Sequence, residues 1–279
     1  FYEKPNREVN IKEDNSPVTQ ADLAANKILN DGLINLFPEI PIVSEEESSS
    51  IDIPKTNKVF WLIDPLDGTK EFLKKNNEFT CNLALIENNT STLGFVTVPV
   101  KELIYYGGKQ FGSKLINKNK TISEVKYKKV LGVCRVVASK SHLNEGTKKF
   151  INDIKGNVEL VQAGSSLKFI KIAEGLADIY PRLAPTSEWD TAAAHAILEG
   201  AGCKVLKLNG EDINYGKESI LNPYFIATIP KAPFFSRAFA SLINLFFSFC
   251  DLPTDLNFPF TVCGVKPIWP RTGILFLTK

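Results

Sequence analysis

The sequence predicts an α+β or α/β chain in two halves, an antiparallel sheet half followed by a second α/β half, with an atypical tail behind them. Three observations carry this. Strand-like and helix-like periods alternate up to a composition boundary near Ile229-Pro230. Two neighbouring β-rich runs, 79–87 and 92–99, are close enough to pair as a hairpin. Beyond the boundary, residues 231–279 hold nine of the nineteen phenylalanines and five of the sixteen prolines but only seven charged side chains. The expected divisions are 1–115, 116–230 and 231–279.

Taken in order, residues 21–36 place Leu23, Ala24, Ile28, Leu33 and Leu36 at helical spacing behind Thr19, a suitable N-cap. Val59-Phe60-Trp61-Leu62-Ile63 is a short β-rich apolar run and reads as a buried strand that ends at Asp64-Pro65. The hairpin follows, and residues 102–106 before Gly107-Gly108 extend it into an antiparallel meander. Lysine-rich 114–129 reads as a solvated connector. Strands at 130–138 and 158–162 and a helix over 166–176 build the second half. Alanine-rich 191–198, closed by Gly200 and Gly202, is a further helix.

Composition narrows the function. Thirty-three basic against thirty-one acidic side chains leave a net charge of +2, too balanced to bind nucleic acid or an anionic membrane through bulk charge. Five cysteines, an odd number without a C-x-x-C pair, suggest neither a disulfide framework nor a thiolate zinc site, and fit a reducing cytosol. His142 and His195 stand far apart, so any metal is expected to be held by oxygen. The chain starts at Phe1 and contains no methionine, so its N-terminus is expected to be incomplete. The apolar stretch 234–250 is broken by Arg237 and falls short of the roughly 20 residues that span a bilayer, so an interfacial or packed helix is expected there.

Three acidic clusters sit at element boundaries: Ser44-Glu45-Glu46-Glu47 after Ile42-Val43, Asp64-Pro65-Leu66-Asp67-Gly68-Thr69 after the buried strand, and Glu188-Trp189-Asp190 before the alanine-rich helix. Alone, each has a plain structural explanation: a solvated loop, a turn, an N-cap. Together they ask for more. Two carboxylates three residues apart at the mouth of a buried strand would repel each other and lose hydration unless a cation sat between them. A hard divalent ion meets that need with oxygen ligands, and Asp64, the Leu66 carbonyl and Asp67 could face one point. Gly68 permits close backbone approach, and Thr69 could open a helix whose amides face a phosphate. Carboxylates, metal ions and helix ends at one spot describe metal-assisted phosphoester hydrolysis.

These strings, with Lys70-Glu71-Phe72, Trp189-Asp-Thr-Ala-Ala193 and Asp14-Asn-Ser-Pro-Val-Thr-Gln-Ala-Asp22, resemble the lithium-sensitive inositol monophosphatase superfamily. Within it the Asn-Ser-Pro-Val-Thr and Asp-Gly-Thr-Lys-Glu-Phe forms are similar to the 3'(2'),5'-bisphosphate nucleotidase branch of bacterial sulfate assimilation. The likeness runs from about residue 12 to 227. It implies a layered αβαβα sandwich, an antiparallel sheet half joined to a mixed sheet half. It implies one Mg²⁺ on Glu45, Asp64 and the Leu66 carbonyl, a second on Asp64, Asp67 and Asp190, and room for a third, weaker ion near Glu45 and Asp22. By the same resemblance Asp22 and Thr69 orient the attacking water, and Glu45 counts with them among the catalytic residues. Ser165, Lys168, Arg182 and His142 match ligand-binding positions, alongside Glu45, Leu66, Asp67, Gly68, Thr69 and Asp190 at the phosphate. His195 reads as a packing residue.

The expected activity is Mg²⁺-dependent, lithium-sensitive release of the 3'-phosphate from 3'-phosphoadenosine 5'-phosphate. Another inositol or sugar phosphatase of the superfamily, or a truncated non-catalytic relic, are the alternatives. A small nucleotide is the expected partner, without nucleic acid, and a cytoplasmic location is expected. The tail is either a partner-binding or membrane-surface extension at the inner face of the cell membrane, or sequence joined by frameshift or readthrough. The oligomeric state is not readable from the sequence.

Overall fold

A short antiparallel pair, β1 (Val9–Ile11) and β2 (Pro17–Thr19), leads into α1 (Gln20–Leu36). Thr19 caps this helix as its position predicts: its side chain accepts from the Ala21 amide, and Asp22 returns a bond to the Thr19 backbone. Such a cap is worth about 1 kcal/mol. The computed structural model describes residues 1–3, 9–11, 17–55, 57–128, 132–138 and 143–230.

Seven strands form the first sheet: β3 (Ile42–Ser44), β4 (Val59–Asp67), β5 (Thr80–Glu87), β6 (Thr90–Val98), β7 (Leu103–Gly108), β8 (Gly112–Ile116) and β9 (Ile122–Val125), in that spatial order. Among the described residues only β3 pairs parallel, against β4; the rest is an antiparallel meander. A short helix, α2 (Thr69–Leu73), follows β4. The second sheet holds β10 (Cys134–Ala138), β11 (Val158–Gln162), β12 (Ile179–Arg182), β13 (Lys204–Lys207) and β14 (Phe225–Thr228). Its order is β11-β10-β12-β14-β13, with parallel pairs on one side and antiparallel pairs on the other, hence a mixed sheet. The helices α3 (Glu145–Asp153), α4 (Leu167–Ala173) and α5 (Ala192–Gly200) connect its strands.

The layers are read from three buried clusters. Leu33 of α1 packs with Trp61 and Ile63 outside the first sheet. Phe60, Leu62 and Val96 on its other face pack with α4, α5 and the second sheet's Val205 and Phe225. Phe150 of α3 covers Val136, Ile179 and Ile226 on the far side. The result is the expected αβαβα sandwich. It also explains why 59–63 is an unbroken apolar run: both faces of β4 are covered, so residues of both parities are buried. The alanine content of α5 serves the middle layer. A Cβ on Gly94 would come 2.0 Å from the Ala193 carbonyl, so β6 and α5 touch through small residues, and Ser91 Oγ donates to the Ala192 carbonyl at 2.7 Å.

Several expectations need correction. The lysine-rich stretch 114–129 is not a connector: β8 and β9 form a hairpin there, and Val125 is buried. Lysine and glutamate on such an outer hairpin protect a sheet edge, which a composition reading takes for a loop. The division at 115/116 therefore falls inside β8, and the first sheet runs on to Val125. Leu23, Ile28 and Leu36 share the helical spacing of α1 yet are exposed. The helix expected over 166–176 ends at Ala173, and residues 64–67 continue β4 with a register irregularity instead of turning away. Val130 lies outside the described residues. Among the described residues, no helix is long and apolar enough to cross a membrane.

Candidate active site

The register of the first sheet assembles the acidic groups. Ser44 pairs with Ile63, and the Glu45 amide donates to the Ile63 carbonyl at 3.1 Å, so Glu45 emerges beside Asp64. Asp64 lies opposite Asn82 and Asp67 opposite Thr80, with a register irregularity between them. Asp190 comes from the other sheet's half, in the turn that precedes α5. One oxygen from each of Glu45, Asp64 and Asp190 lies within 4.8 Å of the other two. That spacing suits a single hard cation.

The electrostatics agree with the geometry. Asp64 is 1% exposed; its Oδ1 accepts the Leu66 amide at 3.0 Å, and its Oδ2 finds no donor among the described residues. Burial pushes its carboxyl well above the usual range, and the charges of Glu45, Asp67 and Asp190 push it further. Asp67 is raised to about 6, by burial first and then by Asp190, against the lowering effect of Lys168, Asn82 and Ser166. Like charges held together around a bare buried oxygen are destabilising as they stand. A bound divalent ion reverses the sign, so the residues fit one.

Beside this cluster Thr69 Oγ1 donates to Asp22 Oδ1 at 3.2 Å and also lies 3.4 Å from the Leu66 carbonyl. Asp22 is buried, and its other oxygen is occupied by the Thr19 amide at 2.8 Å and hydroxyl at 2.5 Å. Gly68, at φ 92°, is in the left-handed region that lets the chain reverse from β4 into α2. Across the cleft, Ser165 Oγ lies 2.9 Å from Thr80 Oγ1, and Ser166 Oγ donates to the Asp190 carbonyl oxygen at 2.9 Å. Lys168, Tyr180 and Arg182 line a cleft of about 370 Å³ together with Asp67 and Asp190. Lys168 Nζ stands 5.7 Å from the Tyr180 ring centroid. Arg182 Nη2 donates to the Pro185 carbonyl at 2.6 Å, while its buried Nε finds no acceptor among the described residues.

A matching profile, the inositol monophosphatase family, covers residues 2–232. The chain belongs to the inositol monophosphatase family. Its relatives in that family include the 3'(2'),5'-bisphosphate nucleotidase CysQ of Salmonella typhimurium, 42% identical over 222 residues, 78% of this chain and 87% of that protein. The CysQ of Buchnera aphidicola is 44% identical over 230 residues, 79% of this chain and 83% of its own. The crystal structure of CysQ from Bacteroides thetaiotaomicron, a bacterial member of the family, aligns with TM-score 0.71 at 38% identity, covering 82% of this chain and 90% of that one. The family match ends beside the composition boundary, and the tail 231–279 with both its readings lies outside the described residues.

Of the expected site residues, Glu45, Asp64 and Asp190 cluster, Asp67, Ser165, Lys168 and Arg182 line one cleft with Asp190, and Asp22 and Thr69 bond each other. His142 lies outside the described residues. Asp190 does not cap α5: Thr191 holds the cap position, and the Asp190 carboxylate instead accepts from Thr186 Oγ1 at 2.6 Å and the Ser187 amide at 2.7 Å. His195 is a packing residue, buried, with Nδ1 2.8 Å from the Tyr215 hydroxyl. Sequence reasoning missed Thr80 and Asn82, which lie 3.5 and 3.3 Å from Asp67 Oδ2, and Thr186. A signal existed: the period-two alternation of β5 places Thr80 and Asn82 on the same buried face as Ala84 and Ile86.

Proposed function

We propose that the protein acts as a 3'(2'),5'-bisphosphate nucleotidase, releasing the 3'-phosphate of 3'-phosphoadenosine 5'-phosphate as AMP and phosphate. The reaction is Mg²⁺-dependent and lithium-sensitive and serves sulfate assimilation in the cytoplasm, a setting that suits the free thiols of Cys81, Cys134 and Cys203. The observation that carries the reading is the bare, buried Oδ2 of Asp64, a residue clustered with Glu45 and Asp190, together with the Asp22–Thr69 pair. The CysQ relatives supply the substrate class.

Glu45, Asp64 and the Leu66 carbonyl would hold one Mg²⁺ and Asp64, Asp67 and Asp190 a second, with a third, weaker position near Glu45 and Asp22. A Mg²⁺ ion bound by these residues would lower the pKa of the attacking water and neutralise charge on the phosphate and leaving oxygens. Thr69 orients that water. Because both Thr19 donors occupy Asp22 Oδ2, Oδ1 is left to the Thr69 hydroxyl, and a proton leaving the water passes through that hydroxyl to Asp22. Thr80 and Asn82 hold Asp67 toward the cleft. Lys168 and Arg182 meet the phosphate that is not cleaved, with Ser165 beside them.

Rates of phosphate release from 3'-phosphoadenosine 5'-phosphate and from inositol 1-phosphate, with and without Mg²⁺ and lithium, test this. The expected result is preference for the nucleotide, abolished without Mg²⁺ and inhibited by lithium. Preference for the inositol ester would instead make the protein a sugar or inositol phosphatase. No Mg²⁺-dependent release from either substrate would mark a non-catalytic relic.

A further inference from the structure

The Glu188-Trp189-Asp190 cluster contains an acid that the metal site does not use. Glu188 is 0% exposed, and its carboxylate takes three donors: the Gly216 amide at 2.6 Å, the Lys217 amide at 3.2 Å and the Lys217 ammonium. Its backbone is committed as well. The Glu188 amide donates to the Ile220 carbonyl at 2.9 Å, and its own carbonyl accepts the Thr191 and Ala192 amides at 3.2 and 3.0 Å, at the start of α5. Asp190 lies inside that turn. On the other side Asn222 donates from its amide to the Thr186 carbonyl at 2.9 Å. Its side chain donates to the Ser187 carbonyl at 2.7 Å and to Thr191 Oγ1 at 2.9 Å. Residues 186–191 are thereby laced to 216–222, a segment remote in sequence from every acidic cluster.

We infer that Glu188 is a positioning residue for Asp190, held by Lys217 and the amides of residues 216 and 217. Space-filling alone does not call for a carboxylate here, because an apolar side chain of similar volume fills a buried site without desolvating a charge. What a carboxylate adds is direction. Its three donors hold the turn in the one arrangement that keeps Thr186 and Ser187 on the Asp190 carboxylate and an Asp190 oxygen within 4.8 Å of Glu45 and Asp64. Lys217 is the accessible end of the device, its side chain 27% exposed and its ammonium also donating to the Asn214 carbonyl at 3.1 Å.

The inference rests on the metal-site reading above, and the test separates the two. Lys217→Met, Lys217→Arg and Glu188→Gln are compared with wild type and Asp190→Asn. Two quantities are measured: the rise in melting temperature on Mg²⁺ titration without substrate, and the Mg²⁺ concentration for half-maximal phosphate release. Groups that orient metal ligands typically change metal affinity about 10-fold or more when removed. Lys217→Met is expected to raise the half-saturating Mg²⁺ roughly tenfold and to displace the melting titration equally, with a smaller loss in kcat at saturating Mg²⁺. Lys217→Arg restores both, and Glu188→Gln shifts both in the direction of Lys217→Met. If Lys217→Met and Glu188→Gln melt lower yet titrate with Mg²⁺ like wild type, the pair is only structural and the inference fails. If wild type itself shows no Mg²⁺-dependent shift, or shares it with Asp190→Asn, the metal reading fails first.

Discussion

Asp64 and Glu188 are equally inaccessible to water, and the protein treats them in opposite ways. Glu188 is met by an ammonium and two amides, whereas Asp64 is met by a single amide and surrounded by Glu45, Asp67 and Asp190. Burial raises both carboxyls, but at Glu188 the lysine and amides pull back, while at Asp64 every named neighbour pushes the same way. A buried acid whose charge is answered within the fold is scaffolding. One whose charge is left unanswered awaits a cation from outside.

The contrast predicts opposite responses to neutralisation. Asp64→Asn should cut phosphate release by about 10³-fold or more, since several kcal/mol of charge stabilisation would depend on the ion it is proposed to hold. In EDTA the same variant should melt higher than wild type, because a neutral amide replaces a buried charge that Glu45, Asp67 and Asp190 repel. Glu188→Gln should melt lower. If both changes lower the melting temperature in EDTA, the two acids are alike and the comparison collapses.

Next in size is Thr69→Val, which keeps shape and removes the hydroxyl. A drop in kcat of about 10²-fold is expected, with an unchanged Mg²⁺ requirement. A parallel change in Mg²⁺ affinity would mean that Thr69 serves the ion and not the proton. Lys168→Met should have a smaller effect, raising KM for the bisphosphate about tenfold, the worth of one charge-assisted hydrogen bond, while a substrate with one phosphate is hardly affected. Equal losses on both substrates would place Lys168 at the cleaved phosphate.

The smallest effect is on pH dependence. Asp67 sits at about 6 against an ordinary 3.8, so the folded, ion-free protein binds more protons than the unfolded chain between those values. Its stability therefore falls as pH rises from about 4 through 6. Mg²⁺ takes the place of the proton, so the stabilisation it confers should be slight at pH 4 and grow as pH rises through 6, with the raised Asp64 carboxyl extending the rise. Burial lowers His195 to about 4, which destabilises the fold as pH falls from 6.5 toward 4. That effect is common to both conditions and cancels in the difference between melts with and without Mg²⁺. A Mg²⁺ increment independent of pH would show that the carboxylates are already ionised without the ion.

Much of this was legible in the residues, for local reasons. The Thr19 cap, the β4 strand and the α5 helix follow from short-range chemistry and periodicity. Asp64 and Asp67 at the mouth of a buried apolar run, with Asp190 just ahead of a helix, point to a metal from the sequence alone. The β8–β9 hairpin was hidden because its edge carries charge, and Leu23, Ile28 and Leu36 show that helical spacing alone does not say which face is covered. Thr186 and Lys217 carry no motif, and their partners lie 4 and 29 residues away in the chain.

By itself the sequence determined which side chains the chemistry has to work with: five carboxylates, a threonine and a basic pair, most of them close to an element boundary. Only the tertiary structure decided that Asp190 would reach Asp64, since Asp64 lies in the first sheet and Asp190 in the turn before α5, and the two meet when α5 docks through Ala193 onto Gly94. It also decided that Glu188 would be neutralised and Asp64 would not. Desolvation and the geometry of hydrogen bonds arise only when distant segments pack together, and no local pattern encodes them.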